Sequence, residues 1–198
     1  MNTPHWHEPT VSRDARWKRL GVHGMTIWLT GFSGSGKSTV AHELARRLVE
    51  SGTLASVLDA DNLRHGLNAD LGFSDDDRRE NVRRVGEVAA LLADTGVVTI
   101  VPIISPFAAG RDAVRALHHR AGLPFVEVHM ATPIDECASR DPKGLYRKVR
   151  DGEMTGLSGV DAPYEAPASP DLTLGARGES VDECVSELLA VVHEVVGA

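Results

Sequence analysis

The stretch Gly31-Phe32-Ser33-Gly34-Ser35-Gly36-Lys37-Ser38-Thr39 constrains this chain more than any other. It reads G-x-x-x-x-G-K-S, preceded by the apolar run Ile27-Trp28-Leu29 and followed by helical periodicity over residues 39–49. Strand, glycine-rich loop and helix in that order make a phosphate cradle. Glycines let successive backbone N–H groups turn inward, and the helix adds its positive end. Lys37 can reach β- and γ-phosphates, and the Ser38 hydroxyl can ligand Mg²⁺. A plain Gly/Ser turn has no need of that lysine and hydroxyl. Gly31, Ser33, Gly34, Ser35, Gly36, Lys37, Ser38 and Thr39 are therefore the candidate residues for holding a nucleoside triphosphate with its Mg²⁺.

Around this loop the periodicities alternate. Residues 54–58 read as a second strand that brings Asp59 and Asp61 to its carboxyl end, where ligands sit in open α/β sheets. Ser74 followed by three aspartates marks a helix start, and Val85, Val88, Ala89 and Leu92 give that helix a buried face. Residues 97–104 form a continuous apolar run, as a strand buried on both faces requires. Pro102 lies inside it, so a distortion or an end to pairing is expected there. A helix over 111–120, a strand over 125–130 and a short helix over 133–139 follow. Gly, Pro, Ser and Asp dominate 151–170, which reads as a mobile lid. A last strand at 171–174 and a closing amphipathic helix over 181–196 complete the pattern. The expected fold is α/β: a three-layer, P-loop NTPase-type parallel sheet flanked by helices. An N-terminal arm over 1–24 precedes one kinase-sized domain over 25–198, and within the arm Trp6 is expected to dock on that domain.

At 198 residues there is room for one such core. A formal charge of −7 argues against a general nucleic-acid binder. No apolar run reaches the length of a membrane span, so no membrane partner is expected. Cys137 and Cys184 are far apart and make no metal-ligand cluster. Two thiols without a secretion signal fit a reducing cytoplasm. Arg78, Arg79, Arg83 and Arg84 crowd the helix that Ser74 starts. They read equally as a solvated face or as a clamp for a second, phosphate- or sulfate-bearing substrate.

From Leu58 onward the blocks Asp59-Ala60-Asp61-Asn62-Leu63-Arg64-His65-Gly66-Leu67-Asn68, Asp70-Leu71-Gly72-Phe73-Ser74, Asp77-Arg78, Glu80-Asn81, Arg83-Arg84-Val85-Gly86-Glu87-Val88-Ala89, Ile104-Ser105-Pro106, Arg140-Asp141-Pro142-Lys143-Gly144-Leu145-Tyr146 and Tyr164-Glu165-Ala166-Pro167 follow one another. In order and spacing they resemble the adenylylsulfate (APS) kinases across nearly the whole chain. The resemblance implies transfer of the ATP γ-phosphoryl group to the 3′-hydroxyl of APS, giving 3′-phosphoadenylylsulfate (PAPS), with Mg²⁺. It places Asp61 at the 3′-hydroxyl as base or Mg²⁺ partner, so Ser38 and Asp61 are the implied metal ligands; the strand ending at Ile104 has no terminal aspartate, and Asp59 is the alternative to Asp61. Arg64, Arg78 and Asn81 are implied contacts to APS, and Phe73 the aromatic under its adenine. Ile104, Ser105, Leu145 and Leu157 are implied to line that site. Lys143 reaches toward the transferring phosphate, and Arg140 lies against the ATP adenine. The implied catalytic set is Lys37, Asp61, Ser105 and Lys143. Ser105 matches a serine phosphorylated in some relatives, but it has no obvious activating base, and direct in-line transfer is expected. A homodimer and association with an ATP sulfurylase are also implied.

Two departures carry expectations. Ala60 stands where the family has glycine, so a left-handed backbone there would strain it. The lid pattern Asn-Phe-Thr-Gly-Ile-Asp is here Gly156-Leu157-Ser158-Gly159-Val160-Asp161, with Leu157 in place of the second aromatic of an adenine sandwich. A lost stack of about 0.5–1.5 kcal/mol implies several-fold weaker APS binding. The alternatives to an APS kinase are a kinase-derived regulatory module with weak turnover, or a phosphate-loop kinase with another acceptor.

Overall fold

The computed structural model describes residue 5 and residues 7–197. Strand β1 (Met25–Thr30) lies at the centre of a five-stranded sheet of order β2-β3-β1-β4-β5, with β2 at Ala55–Val57, β3 at Val98–Pro102, β4 at Phe125–Met130 and β5 at Leu172–Leu174. All pairings are parallel. All six residues of β1 are buried, and their alternation sorts them onto two faces. Met25, Ile27 and Leu29 join a core with helices α2 (Lys37–Glu50) and α8 (Val181–Val196), contributed by Val40, Leu44, Leu48, Val185, Leu188 and Val192. Trp28 faces the opposite way, into a core with Val82, Val85 and Ala89 of α4 (Asp75–Asp94) and Val114 of α5 (Ala108–Arg120). The three-layer expectation holds.

Local signals set the helix ends. Ser74 and Asp77 form a reciprocal capping box on α4, as Ser180 and Glu183 do on α8. Each such cap contributes about 1 kcal/mol. Pro102 closes β3. The Ile103 amide still donates to the Leu29 carbonyl at 3.0 Å, so pairing with β1 continues one residue further. Alternation puts the proline nitrogen on the β2 side, where β2 has already ended.

Three helices have no clear sequence signal: α1 (Arg13–Leu20), α3 (Ala60–Leu63) and α7 (Leu145–Arg150). Helix α1 has no buried residue, so no apolar stripe announces it. It is held by polar contacts: Trp17 Nε1 and Arg16 Nη2 each donate to the Asp94 carbonyl at 3.0 Å, and Arg13 Nη1 donates to the Ala121 carbonyl at 2.6 Å. Trp6 and its expected docking lie outside the described residues. No helix among the described residues is long and apolar enough to cross a membrane.

Inside the sheet–α5 layer, His118 is fully buried. Its Nδ1 lies 2.9 Å from the Val114 carbonyl and its Nε2 2.8 Å from Thr26 Oγ1, a pattern suited to a neutral ring. Burial lowers its pKa below the ordinary 6.5, and burial lowers His129 likewise. As the pH drops below about 6.5, the unfolded chain takes up protons that the folded chain refuses. Stability is therefore full above that pH and falls below it. Urea midpoints between about pH 7.5 and 5.5 should fall, with His118 contributing at most about 1.4 kcal/mol per pH unit. His118→Gln should flatten that slope in part; an unchanged slope would show that the ring does not carry it.

Candidate active site

The phosphate loop joins β1 to α2. Gly36 caps α2 with φ 91°, a left-handed conformation that glycine adopts without strain. At Gly31 a Cβ would come within 2.5 Å of the Met130 carbonyl, so the loop can lie this close to β4 only with glycine there. Thr132 Oγ1 and Tyr146 Oη buttress the loop by donating to the Ser35 and Ser33 carbonyls at 3.2 and 2.8 Å. Tyr146 is itself set by Asp141, whose carboxylate accepts from the Tyr146 and Arg147 amides at the start of α7. The sequence reading missed Tyr146 and Asp141 in these roles.

Lys37 Nζ folds over the loop and donates to the Gly31 and Phe32 carbonyls at 2.9 and 2.6 Å. Burial, and then the like charge of Lys143, pull its pKa down to about 8. Both causes are relieved by an anion.

Asp59 terminates the β2 segment and caps α3, accepting from the Asp61 amide at 2.9 Å with Oδ1. Its Oδ2 accepts from Ser38 Oγ at 2.7 Å. Of the two aspartates that follow β2, Asp59, turned back by its capping role, stands against Ser38, while Asp61, two residues on, forms an ion pair with Lys143. Hydroxyl and carboxylate oxygens are the hard donors that Mg²⁺ takes, so Ser38 and Asp59 fit that ion. Ala60, the first residue of α3, is not among the residues with positive φ, so the expected strain is absent.

A single cavity of about 440 Å³ runs from the loop to the far end of β3. Ser33, Gly34, Gly36, Lys37, Ser38, Thr39 and Arg140 line one half, and Arg64, Phe73, Arg78, Asn81, Ile104 and Ser105 the other. Asp61 and Lys143 meet between them. Gly31 and Ser35 lie behind the loop surface, and Leu145 is likewise absent from the lining. Leu157, implied to line the acceptor site, is also absent from the lining and is 3 % exposed.

Phe73 is 68 % exposed, with the Arg64 guanidinium 4.2 Å from its ring centroid. Burial and the nearby charge of Arg78 lower the Arg64 pKa, as expected where cations are gathered for an anion. Asn68 Nδ2 donates to Asn81 Oδ1 at 2.9 Å, which leaves the Asn81 amide hydrogens for the cavity. Asn68 was not singled out in the sequence, since nothing local distinguishes it. Arg78 donates to Ser158 Oγ at 3.1 Å and to the Gly156 carbonyl at 2.6 Å, tying this half of the cavity to the segment over 151–170. Arg84, by contrast, pairs with Asp70 and Glu80, and Arg83 with Glu80, so part of the arginine cluster is a solvated charged face. Ser105 Oγ accepts from Trp28 Nε1 at 3.1 Å, and the residue is 1 % exposed. Among the described residues the partners of this hydroxyl are Trp28 Nε1 and, at 3.5 Å, the Ile103 carbonyl, neither of them a base.

The adenylylsulphate kinase family model matches residues 23–175. An adenylyl-sulfate kinase of Clostridium kluyveri is 50 % identical over 184 residues, 93 % of this chain and 91 % of the relative. The Mycobacterium tuberculosis APS kinase CysC, solved in complex with AMPPNP and APS, superposes with a TM-score of 0.84 at 52 % identity, covering 87 % of this chain and 99 % of that one. A hexameric APS kinase from Thiobacillus denitrificans matches with a TM-score of 0.65 at 33 % identity, over 87 % of this chain and 29 % of that one. With a phosphate loop opening into an arginine-lined acceptor pocket, and with relatives this similar over this much of its length, the chain belongs to the adenylylsulphate kinase family.

Proposed function

We propose that this enzyme transfers the γ-phosphoryl group of ATP to the 3′-hydroxyl of APS, giving PAPS and ADP. The observation that carries the reading is the continuity of one cavity, with a phosphate cradle at one end and an exposed aromatic beside two arginines at the other. Family membership supports the reaction type.

The chain's own residues supply positioning and charge, which is most of what phosphoryl transfer requires. The loop amides and Lys37 take the β- and γ-phosphates, Lys37 leaving the Gly31 and Phe32 carbonyls to do so. Ser38, with Asp59 behind it, would hold Mg²⁺, and that ion supplies neutralisation of charge on the transferring group. Arg140 lies on the nucleotide side of the cavity. In the acceptor half, Phe73 offers a stacking face to adenine, and Arg64, Arg78 and Asn81 offer donors to the sulfate–phosphate group and ribose. Asp61 is the base for the 3′-hydroxyl. Its ion pair with Lys143 holds the carboxylate between the two halves of the cavity, and Lys143 turns from it to the transferring phosphoryl group. Ile104 and Ser105 form the acceptor floor.

The reading extends to assembly and setting. A homodimer and association with an ATP sulfurylase are part of the same reading, and their support is the family resemblance; a relative described as hexameric supports self-association in general. A cytoplasmic setting is supported by two buried free thiols, Cys137 and Cys184, and by the ATP requirement.

Purified protein with Mg-ATP should release ADP and form PAPS only when APS is added, at about 1–100 s⁻¹. ATP binding without APS-dependent turnover would overturn the reading. Asp61→Asn should lower kcat by about 10²–10⁴-fold while leaving ATP binding intact; a near-normal kcat would remove Asp61 as base. Because the free enzyme loses the Lys37 proton above about pH 8, KM for ATP should rise with pH through that value. Bound phosphates raise the lysine pKa, so kcat should hold to higher pH than kcat/KM. Parallel profiles for kcat and kcat/KM would contradict this.

A further inference from the structure

Arg111 lies in the first turn of α5, 2 % exposed, and does not line the cavity. Its guanidinium nevertheless serves three places at once. Nε donates to Glu127 Oε1 on β4 at 2.7 Å, Nη1 to the Ser105 carbonyl at 2.6 Å, and Nη2 to the Glu165 carbonyl at 2.7 Å. Ser105 is one of two non-glycine residues with positive φ among the described residues, at 42°. Such a conformation persists only where its surroundings over-determine it.

Those surroundings are visible. Thr30 Oγ1 donates to the Ile104 carbonyl at 2.6 Å, Trp28 Nε1 to Ser105 Oγ at 3.1 Å, and the Glu165 amide to the Pro106 carbonyl at 2.8 Å. Arg111 is the charged donor of this set, and a single guanidinium joins the Ser105 carbonyl, the Glu165 carbonyl and the Glu127 carboxylate. The Glu165 side chain accepts from the Ala108 amide at 2.6 Å. We propose that Arg111 is a positioning residue for the acceptor. It fixes the floor at Ser105 and the root of the lid at Glu165 relative to each other, and so sets where the acceptor hydroxyl lies against the phosphate cradle. The competing explanation is that Arg111 and Glu127 are simply a buried ion pair of the core.

The two differ in what repairs the loss of Arg111. Replacing a buried pair together by apolar residues of similar volume restores stability without restoring the bonds to Ser105 and Glu165. Arg115, the other partner of Glu127, keeps its ion pair with Asp171 at 2.8 Å in such a variant. The experiment compares wild type, Arg111→Lys and the double variant Arg111→Met with Glu127→Leu, by thermal unfolding and by KM and kcat for each substrate. Arg111→Lys keeps a cation opposite Glu127, so it remains informative if the double variant does not fold. The expected result is a folded protein whose KM for ATP stays within about twofold of wild type. Its kcat/KM for APS should fall about ten- to a hundredfold, the scale of a small misplacement. Wild-type APS parameters in either folded variant, or equal losses for both substrates, would overturn the proposal. The inference rests on APS as the acceptor. Wild type without APS-dependent turnover defeats that reading, whereas active wild type with unaffected variants defeats only the role of Arg111.

Discussion

A lysine ammonium is buried at the head of α2, where among the described residues backbone carbonyls and a hydroxyl are its bonded partners and no carboxylate forms an ion pair with it. A cation in that position is costly unless an anion arrives. The loop amides, the α2 N-terminus and Lys143 point to the same deficit. The cleft is in effect a preassembled half of an electrostatic interaction, and the sheet exists to hold that half still. Buttresses from Thr132 and Tyr146 reach the loop from two other elements, so its geometry is fixed from outside the motif as well as within it.

The centre of the fold was legible because β1 carries its instructions in alternation. Met25, Ile27 and Leu29 point to one helix layer, and Thr26, Trp28 and Thr30 to the other. The two outer residues of the second set are polar, yet each is buried with a designated partner, Thr26 with His118 and Thr30 with Ile104 and Tyr164. A run of six buried residues reads as a strand from composition. Which partners satisfy the threonines depends on residues 74 to 134 positions away and could not be read locally.

The same distinction separates the site residues that were anticipated from those that were not. Motif residues such as Lys37, Arg64 and Phe73 line one cavity. Which of Asp59 and Asp61 stands beside Ser38 hung on which of them capped a four-residue helix without a buried residue. Leu157 turned inward because Asp161 folds the lid into a tight turn, accepting from the Gly156 and Leu157 amides at 2.8 and 2.7 Å. Arg111 was invisible as anything but a charged residue near a helix start, since all three of its partners are distant in sequence or lie across a loop.

Pro102 gives the crevice its width. The Leu58 amide still donates to the Ile100 carbonyl at 2.9 Å, and the rung after it, in the pattern of Val98 to Leu54, would join the nitrogen of residue 102 to the Leu58 carbonyl. Proline has no hydrogen to give. The zipper between β2 and β3 therefore stops one step before the strands would seal, and the chain after Leu58 is free to diverge into Asp59 and α3. The opening into which a second substrate can enter is thus kept ajar by an absent proton on one backbone nitrogen, at a position that touches the cavity with nothing more than a saturated ring.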